Sequence, residues 1–402
     1  MALEVRPCAD KDEFRRAVDA IAQYFGPPLT EERIDRFSRV LDVGRMHAAF
    51  EDELIIGGAG AFSFDFAVPG GSLPCAGISV VGVFPTHRRR GALRAMMDAQ
   101  LQDVHERGEP IAALWASEET IYGRFGYGLA SWCGEITVPK EWSAFAQPLE
   151  RRGSTRLVSS EEALALFPPV YDAVWRERPG MFARTSEWWE LRTLRMPEEE
   201  AATPKRFVVL ELDGTPQAYG IYRSHPKFED AVSKSRLEVL EAFGTTPQAT
   251  AEIWRFLLDI DWSATVDMEL LPPDHPLFML LAYPRRARYR MYDGLRVRLV
   301  DVGAALSGRE YAADGSIVFE VRDAVCRWNE GRWKLEDGAA ARTEEAAELA
   351  LDVEALGSAY LGAVSFAQLR DGGRVEEFAD GAVRRADALF GWRPLPWCPE
   401  IF

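Results

Sequence analysis

The spacing of hydrophobic and polar residues predicts strands and helices along most of the chain. Residues 93–104 carry apolar side chains every three or four positions, which predicts an amphipathic helix. Residues 78–84 form a β-branched apolar run, which is typical of a buried strand. A long strand that starts near residue 54 carries alternating phenylalanines, which predicts one aromatic face. The strand at 78–84 leads through a short basic turn into the helix.

These patterns predict an α+β protein built of three consecutive parts. A chain of 402 residues is too long for one ordinary domain. Residues 1–145 alternate strands and helices around a mixed sheet, which we expect to close near residue 139. Residues 146–293 repeat the order of hairpin, strand, helix and strand. Residues 294–402 hold short strands separated by turns and begin with a strand candidate at 296–302.

Several helix starts carry residues that cap helices. Thr30, Ser117 and Thr245 each precede a predicted helix, and a hydroxyl there accepts a hydrogen bond from the first turn. Asp10 or Asp12 has the same role before the first helix. We therefore predict N-caps at these positions.

The basic turn before the helix has the geometry of a pyrophosphate site. The first N–H groups of a helix lack internal partners, and the helix dipole is positive at that end. Gly91 lets the backbone approach a phosphate, and the arginines at 88–90 add charge around it. The alternative is a solvated basic turn that enters an ordinary helix.

Residues 81–93 read V-x-V-x-P-x-x-R-R-R-G-x-L, which resembles the acetyl-CoA motif of the GNAT superfamily of N-acetyltransferases. The core of that motif is Q/R-x-x-G-x-G/A. Arg88, Gly91 and Leu93 occupy its defined positions, and Leu93 departs from the usual small residue. That departure, the triple arginine and the chain length resemble the "enhanced intracellular survival" type of aminoglycoside and protein N-acetyltransferase. The resemblance implies tandem GNAT domains followed by a sterol-carrier-like α+β domain.

The resemblance also assigns ligand sites. The turn at 244–247 lacks the motif, so the second GNAT-like domain at 146–293 is expected to be a degenerate copy that serves a structural role. Acetyl-CoA is the expected co-substrate, and its expected ligands are Val81, Gly82, Val83, Arg88, Arg89, Arg90, Gly91, Ala92, Leu93, Arg94, Ser117 and Glu118. The residues that we assign to the substrate are Tyr24, Phe25, Trp115 and Glu400.

The segment Y-G-R-F-G-Y at 122–127 carries the candidate general acid. It resembles the family's segment after the fifth strand, where the first tyrosine protonates the leaving thiolate, and that role falls on Tyr122. Tyr127 is the rival. Without the resemblance, both tyrosines read as core aromatics with satisfied hydroxyls.

The chain ends in L-P-W-C-P-E-I-F, although most termini are polar and frayed. An apolar last residue predicts that the terminus packs into the protein and carries its α-carboxylate inside. In the resembling family that carboxylate, at a terminal phenylalanine, reaches the first domain's active site, so Phe402 is the candidate general base. The alternative is a terminus docked for stability, and Glu400 is then the next candidate base.

The net charge and the cysteines limit the kinds of partner, metal site and cell compartment that we expect. A net charge of −16 argues against nucleic acid as the main partner and is compatible with a cationic substrate. The 5 cysteines have no metal-ligand spacing, so we expect reduced thiols and no metal in a cytoplasmic protein. We predict neither a signal peptide nor a membrane span.

Together these observations predict transfer of an acetyl group from acetyl-CoA to primary amines of a multi-amine substrate. That substrate is an aminoglycoside, a polyamine or a lysine side chain. The alternative function is a non-catalytic sensor that binds acyl-CoA or lipid. A hexamer is expected from the resemblance alone.

Overall fold

The computed structural model describes residues 3–25, 30–196 and 202–402 of the chain, without the side chain of Phe25. By its internal contacts the chain forms two compact units. The first unit comprises Met1–Ser131, Gly294–Pro396 and Ile401–Phe402, and the second comprises Trp132–Asp293 and Trp397–Glu400. Neither unit is one continuous segment.

The strands are β1 (Leu3–Pro7), β2 (Met46–Glu51), β3 (Leu54–Val68), β4 (Gly71–Val83), β5 (Ile111–Leu114), β6 (Gly128–Leu129), β7 (Trp132–Pro139), β8 (Ser154–Val158), β9 (Arg206–Leu212), β10 (Thr215–His225), β11 (Phe228–Glu229), β12 (Val232–Ser233), β13 (Ser235–Gly244), β14 (Ser263–Leu271), β15 (Arg288–Asp293), β16 (Arg296–Leu299), β17 (Ser316–Arg322), β18 (Gly331–Glu336), β19 (Ala339–Arg342), β20 (Leu349–Asp352) and β21 (Val375–Glu377). The α-helices are α1 (Lys11–Phe25), α2 (Glu31–Val40), α3 (Ala92–Glu106), α4 (Glu119–Tyr122), α5 (Ser160–Trp175), α6 (Ser186–Trp188), α7 (Pro247–Asp259), α8 (Leu277–Leu280), α9 (Val302–Ser307), α10 (Val353–Ala359), α11 (Phe366–Asp371) and α12 (Ala382–Phe390).

The first unit is built on a seven-stranded sheet in the order β1-β2-β3-β4-β5-β16-β6. β4 and β5 are parallel and are joined by α3, while β2, β3 and β4 are antiparallel neighbours. The predicted helix at 93–104 is confirmed as α3, whose buried residues include Met96, Met97, Leu101 and Val104. The predicted aromatic face of β3 is also confirmed, since Phe62, Phe64 and Phe66 are all buried.

A smaller five-stranded sheet, in the order β19-β18-β17-β20-β21, completes the first unit. The helices α9 to α12 lie in this part of the sequence. Gly128 on β6 meets this part directly, because a Cβ there would come within 2.5 Å of the Ser358 backbone nitrogen on α10. The first sheet and this C-terminal part are therefore in direct contact within the first unit.

The second unit has a seven-stranded sheet in the order β15-β7-β14-β13-β10-β9-β8. β13 and β14 are parallel and are joined by α7, which repeats the arrangement of β4, α3 and β5. The predicted hairpin is confirmed, since β9 and β10 pair antiparallel. The predicted internal repeat is thus visible as the same strand–helix–strand order in both sheets.

Two strands belong to sheets other than those that we predicted. β7, which we expected to close the first sheet, pairs instead with β14 and β15 in the second. β16, which we expected to open the third part, pairs with β5 and β6 in the first sheet. Hydrophobic alternation identifies each strand but does not show which other strand it pairs with. The partners of β7 and β16 are far from them in the sequence. The division at residues 145 and 293 remains a prediction.

The capping predictions were partly right. Thr30 accepts a hydrogen bond from the Arg33 backbone N–H, and Asp10 caps α1 through the N–H of Glu13 at 2.9 Å. The N-cap of α7 is Thr246 rather than Thr245, because Thr246 is the hydroxyl that reaches the Ala249 N–H. Ser117 is not the cap of α4, which starts after Glu118 without a side-chain cap.

Candidate functional site

The candidate site lies in the first unit, where β4 and β5 part. β5 pairs with β4 only over Cys75–Ile78, opposite Ile111–Leu114. β4 continues to Val83, and over this last part its ladder partner among the described residues is β3 alone. The other edge of β4 therefore presents backbone groups that an extended ligand can pair with.

A β-bulge marks the same place on β4. The pairing with β3 shifts register between Gly58 and Gly60, and Val80 has a φ of 47°. A β-branched residue with positive φ is strained, and such bulges re-aim backbone groups next to active sites. This bulge could not be predicted from the sequence, because valine is typical of regular strands.

The predicted ligands on β4 directly follow Val80 of the bulge. The side chains of Val81 and Val83 pack against the buried cluster that includes Met96 of α3. Gly82 faces the other way, and a Cβ there would stand 2.9 Å from the Ile21 Cα of α1. Only glycine fits between strand and helix at this position.

The start of α3 is open to an anion. Its N-cap is Gly91, with a φ of 92° and no side-chain cap, and nothing lies within 4 Å of the place where a Cβ would stand. The first N–H groups of the helix, at the positive end of its dipole, are therefore accessible to a ligand such as a phosphate. Ala92 is buried behind it and Leu93 is partly buried, so these two residues shape the turn.

The arginines of the turn differ in their contacts. Arg88 and Arg89 are exposed and form no ion pair within the described ranges. Arg90 is held 3.3 Å from a Glu51 carboxylate oxygen and also donates to the Thr86 carbonyl. Arg94, one turn into the helix, is exposed. Arg88 and Arg89 are therefore the side chains best placed to meet an incoming polyanion.

Tyr122 ends α4 and is buried, with 8% of its surface exposed. Burial raises the pKa of its phenol, so it is protonated near neutral pH. Tyr127 is completely buried, and its hydroxyl has no hydrogen-bond partner among the described residues. Ser117 and Glu118 are exposed just before α4.

The ring of Phe402 packs on the aromatic face of β3. Its centroid lies 4.9 Å from that of Phe64 and 6.4 Å from that of Phe62, and the residue is 8% exposed. The Phe64 ring in turn occupies the space where a Cβ on Gly77 would stand. Sequence reasoning found the aromatic face and the apolar terminus separately, but it did not predict that one would cover the other.

Tyr122 and Phe402 contact opposite faces of the first sheet. Tyr122 belongs to the buried cluster that contains Ala76, Ile78 and Met97 of α3. Phe402 packs on the face to which Gly77 belongs, and successive residues of a strand point to opposite faces. These strand residues lie where the pairing of β4 with β5 ends. A phenol and a chain terminus therefore approach this point from two sides.

The residues assigned to the substrate are divided between several places. The Tyr24 hydroxyl donates to the Val83 carbonyl at 3.0 Å, which puts it beside the end of β4. Trp115 is partly buried and directly follows β5. The side chain of Phe25 lies outside the described residues.

Glu400 belongs to the second unit. Its carboxylate accepts a hydrogen bond from Trp188 Nε1 at 2.9 Å and lies 3.1 Å from the Arg184 guanidinium. Arg184 also pairs with Glu241, which accepts from the Tyr219 hydroxyl at 2.8 Å. Glu400 is thus a member of a buried ion network in that unit.

The turn of the second unit that corresponds to the basic turn differs in chemistry. Thr246 caps α7 with its own hydroxyl, and Pro247 supplies no N–H in the first turn. The groups that are open at the start of α3 are thus occupied or missing at the start of α7.

Metals, thiols and membrane spans complete the description. Within residues 3–25, 30–196 and 202–402, no group of three or more His, Cys, Asp and Glu side chains could hold a metal ion. All five cysteines are buried free thiols. Over the same part of the chain, no helix has the length and apolarity to cross a bilayer.

Comparison with known proteins gives the family. Residues 4–130 and 180–299 each match an acetyltransferase (GNAT) domain, and residues 302–399 match a sterol carrier protein domain. An uncharacterized N-acetyltransferase of Streptomyces avermitilis is 40% identical, with 98% of each chain covered. N-acetyltransferase Eis of Mycobacterium bovis is 36% identical over 84% of this chain and 83% of its own.

The structure of Eis1 from Mycobacterium abscessus matches with a TM-score of 0.87 at 31% identity, covering 100% of both chains. The predicted fold, two GNAT domains and a sterol-carrier-like domain, is confirmed. The GNAT fold implies acetyl-CoA as the co-substrate. The chain belongs to the GNAT superfamily and is an N-acetyltransferase of the Eis type.

Proposed function

We propose that this protein transfers the acetyl group of acetyl-CoA to primary amines of a cationic multi-amine substrate. The observation that carries the proposal is the pair of groups that approach the gap between β4 and β5 from opposite faces. On one face is the protonated phenol of Tyr122, and on the other is the chain terminus at Phe402. An acetyl transfer needs an acid on the thiol side and a base on the amine side.

The residues around the basic turn fit acetyl-CoA. The cap of α3 at Gly91 has space for a phosphate, and Arg88 and Arg89 carry charge that no described carboxylate neutralises. The backbone edge of β4 beyond Ile78 suits the amide groups of the pantetheine arm. Val81 and Val83 are the strand residues that bind it in this proposal, and Ser117 and Glu118 contact it from the α4 side.

Acetyl-CoA supplies a thioester whose C–S bond breaks as a C–N bond to the amine forms. The attacking amine must first lose a proton, since an ammonium has no lone pair, and the Phe402 α-carboxylate takes it directly or through one water. Tyr122 donates its proton to the departing sulfur, and the second proton that the nitrogen loses as the amide forms restores the phenol. One free thiol and one proton therefore leave for each amide formed. A backbone N–H at the Val80 bulge stabilises the negative charge on the acetyl oxygen.

The substrate class follows from charge. A net charge of −16 attracts cations over long range, and the proposed base is itself an anion. Aminoglycosides, polyamines and lysine side chains share the required feature, a primary amine on a cation. Tyr24 and Trp115 lie next to the ends of β4 and β5 and are the proposed contacts for the substrate.

The test uses the purified full chain with acetyl-CoA and one amine at a time. The panel is an aminoglycoside, a linear polyamine and a lysine-containing peptide, and free thiol is followed over time. The matched control is the same polyamine with every nitrogen fully methylated, which keeps the charge and removes the transferable proton. We expect thiol release with at least one primary amine and background release with the control. Binding of acetyl-CoA without amine-dependent thiol release would contradict the proposal and favour a sensor.

We also propose a cytoplasmic location and a homohexamer. Five free buried thiols support a reducing compartment, where disulfides are rare. The hexamer rests on the family alone. Sedimentation at several protein concentrations tests it, and a concentration-independent monomer would contradict it.

A further inference from the structure

The turn that carries Tyr122 rests on a buried arginine from a distant part of the chain. Gly126 has a φ of 85°, and a Cβ there would stand 2.8 Å from the guanidinium carbon of Arg298. Arg298 lies on β16 and its side chain is fully buried. The backbone of the turn therefore lies directly on the guanidinium, with no room for a side chain between them.

Arg298 is itself fixed by a carboxylate. One guanidinium nitrogen donates to both Asp323 oxygens, at 2.9 and 2.7 Å, and another donates to the Leu299 carbonyl at 3.1 Å. Asp323 also accepts from the backbone N–H of Cys326 at 2.9 Å and from the Asn329 side-chain amide at 3.0 Å. Both side chains are at most 1% exposed, so the pair has little freedom to move.

The contact continues from Gly126 to the candidate acid. Tyr127 follows Gly126, and its backbone N–H donates to the Tyr122 carbonyl at 3.3 Å. The two tyrosine rings meet edge to face, with centroids 6.2 Å apart. Asp323, Arg298, Gly126, Tyr127 and Tyr122 thus form one continuous series of contacts.

We propose that Arg298 and Asp323 are positioning residues for Tyr122, which rests on the proposed role of Tyr122 as general acid. The ion pair holds the Arg298 side chain against Gly126, and this contact fixes the position of the 122–128 turn. The position of the turn in turn sets the position of the Tyr122 phenol. A general acid works within about 3 Å of the atom that it protonates, and a misplacement of about 1 Å costs up to ~10²-fold in rate. The reaction thus depends on residues that lie well over a hundred positions beyond the tyrosine.

The first variant is Arg298→Lys, which keeps the positive charge but removes the planar guanidinium that lies against Gly126 and the nitrogen that donates to the Leu299 carbonyl. We expect kcat to fall by about 10²-fold with KM for acetyl-CoA nearly unchanged. Hydrogen exchange of the unliganded protein gives a second readout, and we expect faster exchange in the peptide that spans 118–128. Gly126→Ala crowds the same contact from the turn and leaves both charges in place. If Arg298→Lys does not fold, the same two measurements are made on Gly126→Ala.

The matched control is Arg45→Lys in another buried ion pair of the first unit. Arg45 donates two bonds to Glu109, both at 2.9 Å, and its side chain is 4% exposed. A general loss of stability would affect both variants alike. We expect Arg45→Lys to leave kcat and the exchange of 118–128 near their normal values.

A double variant decides whether Arg298 acts through Tyr122. If it does, Arg298→Lys should lower kcat much less in a Tyr122→Phe background than in the normal protein. Equal fold losses in both backgrounds would overturn the proposal, as would normal kcat and normal exchange in Arg298→Lys. A normal kcat in Tyr122→Phe alone would instead refute the proposed acid. The exchange of 118–128 would then still decide whether the ion pair holds the turn.

Discussion

One glycine added after Phe402 tests the proposed base with little other disturbance. The added residue carries the α-carboxylate away by about 3.5 Å, the length of one extended residue. A general base must stay within about 3 Å of the proton or one water away. The Phe402 ring keeps its contacts with Phe64 and Phe62, so the terminus stays docked while its charge moves.

The size of the effect follows from the burial of that ring. To bring the new carboxylate back, the tail would have to retract and pull out a ring that is 8% exposed. Losing a buried phenylalanine costs about 3–5 kcal/mol, and about 1.4 kcal/mol corresponds to tenfold in rate. If the reaction had to proceed through this retracted state, kcat would be about 10²- to 10⁴-fold lower than normal. We therefore expect kcat of the extended protein to be lower than normal by at least about 10²-fold.

The assay is amine-dependent thiol release, with acetyl-CoA affinity measured by calorimetry. Affinity should stay normal, because the proposed phosphate site is at the start of α3. The matched control is Phe402→Leu, which keeps an apolar side chain and the position of the carboxylate. Leucine is smaller than phenylalanine and leaves part of the space of the ring unfilled, but it leaves the carboxylate in place, so kcat should stay well above that of the extended protein. Near-normal turnover in the extended protein would refute the base and leave Phe402 as a packing residue.

Three further predictions use other parts of the first unit. Tyr122→Phe should lower kcat by ~10²- to 10⁴-fold with normal acetyl-CoA affinity, and Tyr127→Phe should not; the reverse pattern would move the acid to Tyr127. Gly91→Leu and Arg89→Ala should weaken acetyl-CoA binding in calorimetry, and Arg90→Ala should weaken it less because Glu51 already holds Arg90; equal affinities in all variants would refute the phosphate site. The Arg6 guanidinium and the Ala9 N–H lower the pKa of Glu13 from 4.5 to about 2, so stability should fall as pH drops from about 4.5 towards 2. Urea unfolding at several pH values should show a weaker acid dependence of stability in Glu13→Gln than in the normal protein, and an unchanged dependence in Glu13→Gln would count against the reasoning.

Local features of the fold were predictable because their causes are local. The helix α3 follows from apolar spacing, and the cap at Thr30 follows from one hydroxyl before a helix. The cap of α7 was missed by one residue because Thr245 and Thr246 are chemically equal candidates. The start of that helix depends on which of the two has extended backbone, and the sequence does not distinguish them.

The parts of the candidate site that were missed depend on contacts between distant residues. Nothing near Arg298 in the sequence indicates Asp323 as its partner or Gly126 as its neighbour. The docking of Phe402 on Phe64 joins two apolar signals that were each visible, but no pattern pairs them. The strain at Val80 comes from a register shift between two strands, which alternation alone does not encode.

The position of β16 in the first sheet has a consequence for how the protein folds during synthesis. The first sheet needs β16, which the ribosome synthesises after the whole of residues 132–293. At about 5–20 residues per second, the early strands wait roughly 10–30 s for the strand that lies between β5 and β6. During that time the edge of β5 is exposed to other nascent chains. A fragment that stops at residue 145 keeps this open edge permanently, so aggregation rather than an active miniature enzyme is its expected fate.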